Sequence, residues 1–137
     1  MEAPKHLKHK PIISVSEYDT IDGKYSKDSD AKALSFGLAQ WNNDDLSVKV
    51  WRHSSKKWSR QSEELPIHRA FDLSILALAG FLTDQKSNYP ASIFNEKIDD
   101  NTKISFIKKY LEFNKEKLMP RIKELHKLTE RFIEENK

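Results

Sequence analysis

Between Lys49 and Arg60 the chain carries Lys49, Arg52, Lys56, Lys57 and Arg60 with no acidic residue among them, and Trp51 and Trp58 stand inside the run. Guanidinium and ammonium groups grip phosphate oxygens, and an indole offers a flat face on which a base stacks, so the mixture suits a nucleotide-like anion. The same residues would also serve a solvated strand whose tryptophans fill a core and whose lysines guard a sheet edge. A few residues on, Glu64, His68 and Asp72 recur every four positions along one face of an expected helix, with Arg69 in reach of Asp72. Such a row has the groups for a general acid and base or for metal ligation, and equally for an ion-paired helix start. No second histidine stands at ligand spacing, so no metal is expected. The expected contacts of a polar ligand are Trp51, Arg52, Trp58, Arg60, Gln61, Glu64, His68 and Arg69.

The acidic run YDTIDGKYSKDSD lacks the ligand ladder and closing glutamate of a calcium loop, and Asp22-Gly23 reads as a turn. No P-loop, nucleophile elbow, zinc-protease or dinucleotide fingerprint occurs. With only three glycines a glycine-rich phosphate cradle is excluded, and an anion must be held by side chains and a helix N-terminus. No catalytic set and no cofactor is expected.

The elements that must position these groups follow from periodicity. Residues 1 to 11, with two prolines and several basic groups, suggest a loose arm, and Ile12 to Val15 a short strand. Ala31, Leu34, Leu38 and Trp41 recur at three and four, which predicts a helix over 30–41. Leu46, Val48 and Val50 then alternate with Lys49, Trp51 and His53, which predicts a hairpin over about 46–61. Ser62, Glu63, Glu64 and Pro66 carry helix-start chemistry, and the segment from 63 to 83 is apolar on almost every face after Phe71, which predicts a central core helix. In the long connection that follows, Tyr89, Ile93 and Phe94 are expected to fold back onto the body. From Asn101 onward Ile104, Ile107, Leu111, Leu118, Ile122, Leu125, Leu128 and Phe132 make a long amphipathic helix, or two helices meeting near Pro120.

The 137 residues suit one domain, of α+β class: a small antiparallel sheet packed on a central helix, with a C-terminal helical segment over 101–137. The absence of cysteine excludes disulfides, thiolate metal sites and thiol nucleophiles within the chain. No secretory leader or membrane-length apolar run is read, so a soluble, cytoplasmic protein without membrane partners is expected. A net charge of +3 is too small for a protein that coats nucleic acid, and a nucleic-acid polymer is not expected as a partner.

The segments IDGKY, DAKALSFGLAQWN and WSRQSEELPIHR resemble a family of short bacterial and phage-encoded proteins of unknown function. The resemblance spans about residues 4 to 82 and implies neither an activity nor site residues. The reading that unites these features is a non-catalytic binding protein for a phosphorylated or nucleotide-like small molecule, homo-oligomeric through its C-terminal helix. Its concrete version is a phage-encoded sponge that sequesters a cyclic-nucleotide immune signal. The alternatives are a hydrolase using His68 with Glu64 or Asp72 as an acid-base pair, and a protein-interaction module acting through the C-terminal helix.

Overall fold

The computed structural model describes residues 1–54, 56–59, 63–83 and 90–137. The architecture is α+β. Five strands, β1 (Lys10–Val15), β2 (Ala31–Ala39), β3 (Asn42–Ser54), β4 (Lys57–Trp58) and β5 (Glu64–Pro66), are followed by two helices, α1 (Ile67–Leu82) and α2 (Ile104–Glu135). All pairings are antiparallel, in the order β1-β2-β3-β4, and β5 also pairs with β3. The chain divides into two compact units, Met1–Ile75 and Leu76–Lys137, and the division falls within α1.

The expected helix over 30–41 is strand β2. Its apolar residues do recur at helical spacing, but a second pattern wins: Ala31, Ala33, Ser35, Gly37 and Ala39 are all buried, and the residues between them are half-buried. Period two with small residues on one face packs a sheet under a close-lying cover, and Gly37 adds a close approach within the sheet. A Cβ at Gly37 would fall on the Lys10 carbonyl oxygen and stand 2.8 Å from the Pro11 Cα. β2 therefore tolerates nothing larger where β1 pairs with it.

Register sorts the side chains into two faces. Ile13 lies opposite Phe36 and Val15 opposite Leu34. Leu34 in turn faces Val50, and Phe36 faces Val48, while Leu65 joins through Val48. That face is a shallow apolar groove of about 380 Å³. On the other face Ala33 lies opposite Trp51, Ser35 opposite Lys49 and Gly37 opposite Ser47. The alternation expected for Lys49, Trp51 and His53 against Val48 and Val50 holds, within a strand that starts earlier than expected, at Asn42.

The N-terminal residues cover the second face and are not a loose arm. Ala3, Pro4 and His9 are buried, and Ala3 and Leu7 pack with Ala33 and Trp51. Two prolines forbid a helix, but an extended segment needs none in order to bury small side chains against a tryptophan. In the acidic run Gly23 adopts φ +53°, and the Asp22 carboxylate accepts from Ser29, as a turn requires. The Ser29 hydroxyl itself accepts from Ala31 N–H and so opens strand β2.

Helix α1 begins four residues later than predicted, directly after Pro66, because Glu64–Pro66 is recruited by β3 as a strand. Ser62 lies outside the described residues. Ala79 is the buried residue of α1, while Phe71, Leu73, Leu76 and Leu82 are exposed, and apart from Ala79 and Ile104 the buried residues lie in the sheet and its cover. Ile93 and Phe94 are exposed as well, contrary to the expected back-folding, and Tyr89 lies outside the described residues. In α2 one helix runs unbroken through Pro120. Along it Ile104, Leu111, Leu118, Leu125 and Phe132 recur every seven residues, and from Leu125 onward the stripe is exposed.

Candidate functional site

The covered face of the sheet holds a buried chain of polar groups. Trp51, 1% exposed, donates its indole N–H to the Ser35 hydroxyl at 2.8 Å. Ser35 Oγ lies 2.8 Å from His9 Nε2, and His9 Nδ1 lies 2.9 Å from Ser47 Oγ. Ser47 donates to Glu64 Oε2 at 2.8 Å. The carboxylate end fixes Ser47 as a donor and His9 Nδ1 as an N–H, since an ionised carboxylate can only accept, and with the ring neutral Nε2 is left as the acceptor. Ser35 receives the Trp51 proton and donates its own to Nε2, so His9 carries its proton on Nδ1 and passes it toward Ser47. His9 is thereby assigned as the neutral Nδ1–H tautomer.

The electrostatics agree with that assignment. Burial lowers the His9 pKa, and the nearby Lys49 ammonium lowers it further, against the raising influence of Glu64. Burial by itself would raise the Glu64 pKa, but the Gln40 N–H at 3.0 Å and the Ser47 hydroxyl, with the Lys49 charge, hold it below the ordinary carboxylate value. The Glu64 side chain is 2% exposed, and Oε1 accepts no hydrogen bond. Facing Oε1 at 3.6 Å is the Lys49 ammonium, which also lies 4.2 Å from the Trp51 ring centroid.

Beside this chain opens a groove of about 930 Å³. Among the described residues Lys49, Lys56, Lys57 and Lys8 supply its cations, and no aspartate or glutamate lines it. His6 and Lys8 come from the N-terminal segment, Lys56 from the turn after β3, and Lys57 and Trp58 from β4. Trp58 is half-buried, edge-on to Trp51 at 5.7 Å and to His53 at 5.0 Å between ring centroids. Among the described residues Lys8, Lys56 and Lys57 form no ion pair.

The expected ligand contacts separate. Trp51 and Trp58 both reach the groove, Trp51 as its buried floor and Trp58 as its side. Arg52 turns away from it and bonds Asp30 at 2.6 Å and Glu63 through two guanidinium nitrogens, which raises its pKa and lowers that of Glu63. Glu64 is inside the buried chain rather than on a helix face, so the predicted row of Glu64, His68 and Asp72 does not form. His68 and Arg69 are exposed in the first turn of α1. Arg60 and Gln61 lie outside the described residues. His9, Ser35 and Ser47 were not legible as site residues, because an isolated histidine in a proline-flanked segment carries no periodic signal. Among the described residues no cluster has the makings of a metal site, and no helix is long and apolar enough to cross a membrane.

Residues 1–97 match the model of a family of unknown function, DUF6530, and the chain belongs to that family. No curated protein and no solved structure matches it.

Proposed function

We propose that this member of a family without an assigned activity is a non-catalytic binding protein for a phosphorylated, nucleotide-like small molecule, taken up in the groove beside β3 and β4. The observation that supports the reading is the groove's charge: among the described residues four lysines and no carboxylate line a concavity of about 930 Å³, with the Trp58 ring at its side. Such a volume suits a mononucleotide or dinucleotide, ammonium groups match phosphoryl oxygens, and an indole stacks any base. A phage-encoded sponge for a cyclic-nucleotide signal is the concrete form, and self-association through the exposed Leu125, Leu128 and Phe132 would complete it.

Native mass spectrometry of the full chain with a panel of nucleotides, cyclic dinucleotides and sugar phosphates tests the reading. A retained and chemically intact ligand is expected, with Trp58→Ala weakening it by about 1 to 3 kcal/mol. No binding across the panel would sink the groove reading. Turnover lost in His68→Ala would replace it with the acid-base reading, which is disfavoured because the Glu64 carboxylate is already engaged by Gln40 and Ser47.

A further inference from the structure

Lys49 differs in kind from the other lysines of the groove. Its side chain is 12% exposed, and the ammonium is held from two sides, by the Trp51 ring and by Glu64 Oε1. Neither neighbour takes a hydrogen bond from it: the carboxylate oxygen is at 3.6 Å and the ring offers only its π face. Glu64 Oε1, buried, is equally without a hydrogen bond. Here the buried carboxylate has lost water without gaining a full set of bonds, and the ammonium, 12% exposed, lines the groove with donors that neither neighbour takes. The cation is already positioned, so an incoming anion has little side-chain freedom to freeze.

We infer that Lys49 is the anchoring cation for a phosphoryl group in the groove, and that its capture of the anion is coupled to uptake of one proton by the buried His9–Glu64 pair. The inference rests on the groove reading above and adds to it a residue and a linkage. When phosphoryl oxygens take the ammonium's donors, Glu64 loses part of its counter-charge in a site closed to water. The titratable groups facing His9 are Glu64, from β5, and Lys49, from β3, while Ser35, Ser47 and Trp51 supply its neutral surroundings. His9 Nδ1 stands 3.4 Å from Glu64 Oε2, so an imidazolium there restores the lost charge. The proton comes from solvent and enters at Nε2; Ser35 then accepts from Nε2 and turns its own hydrogen aside. Removing the Lys49 charge also removes one of the two influences that keep His9 neutral.

Trimetaphosphate is a suitable probe, because its acid groups do not titrate near neutrality, and cyclic di-AMP adds bases to the same chemistry. Calorimetric titration of the full chain near pH 6.5, in two buffers of different ionisation enthalpy, reads proton uptake directly. Wild type is expected to take up a measurable fraction of a proton with either probe, and to bind more tightly as pH falls from 8 to 6. Lys49→Met is expected to bind about tenfold more weakly or worse, the size of a lost charge-assisted bond, and Lys57→Met only a few-fold more weakly with uptake retained. Cyclic di-AMP exceeding trimetaphosphate in affinity, with the excess lost in Trp58→Ala, assigns the remainder to stacking. Binding whose heat is independent of buffer, or Lys49→Met binding like wild type, overturns the inference and leaves the groove reading standing. Binding of neither probe overturns both. Should Lys49→Met fail to fold, the wild-type buffer comparison decides alone.

Discussion

The two faces of the one sheet solve burial in opposite ways. On one, small residues of β2 let Trp51 and the N-terminal segment lie close, and Trp51, Ser35, His9, Ser47 and Glu64 are joined in a directed chain. On the other, branched and aromatic side chains of β2, β3 and β5 stay half-buried beside the exposed Ile13 and Val15 of β1 in a shallow groove with an apolar surface. The apolar face depends on area alone and degrades gradually. The closed face depends on completeness, because removing one link leaves a buried donor or acceptor with no replacement from water.

That contrast is open to breaking. Trp51→Ala should do the most damage, removing the largest fully buried side chain and the first donor of the chain together; a loss of about 3 to 5 kcal/mol in urea unfolding is expected. Ser35→Ala should cost about 2 kcal/mol although it deletes one oxygen atom, since it strands both Trp51 Nε1–H and His9 Nε2. A loss no larger than that of an exposed serine would show that water replaces the hydroxyl. Acid should act on the closed face as well. His9 has its folded-state pKa depressed below 6.5, so the unfolded chain takes up a proton first. Its contribution to stability is therefore complete above pH 6.5 and is lost as pH falls from there through the folded value. Thermal melts of His9→Gln should lack that part of the pH dependence. Ile13→Ser, on the apolar face, is the smallest: Ile13 is 66% exposed, and a change of about 0.5 kcal/mol is expected. A loss comparable to that of Ser35→Ala would mean that this face is covered in solution.

The legibility of the sequence differed between the faces for the same physical reason. Val48 and Val50 alternate with Lys49 and Trp51, a polarity contrast that any period-two reading detects, and the strand followed. In β2 both faces are apolar or small, so alternation of size replaced alternation of polarity, and Ala31, Leu34 and Leu38 passed for a helical stripe. The long C-terminal helix was plain because its heptad spacing repeats. At the site, the cluster of Lys49, Lys56, Lys57, Trp51 and Trp58 was readable because it is local in sequence. His9, 26 residues from Ser35 and 38 from Ser47, was not, since only the register of three strands brings those groups together. Arg52 had the right chemistry and the wrong side of the strand.

The shift in register between Pro11 and Ile13 bears on how this chain behaves among its own copies. Strand β1 lies at the end of the strand order and carries Ile12, Ile13 and Val15 largely bare, a composition that elsewhere seeds fibrils. A neighbour that tried to extend the sheet would need an evenly spaced row of amides and carbonyls to copy. At Pro11 one amide is missing, and one residue later the pleat is out of step, so the template is interrupted within its first turn of repeat. The irregularity thus makes that edge a poor template for a second copy to extend.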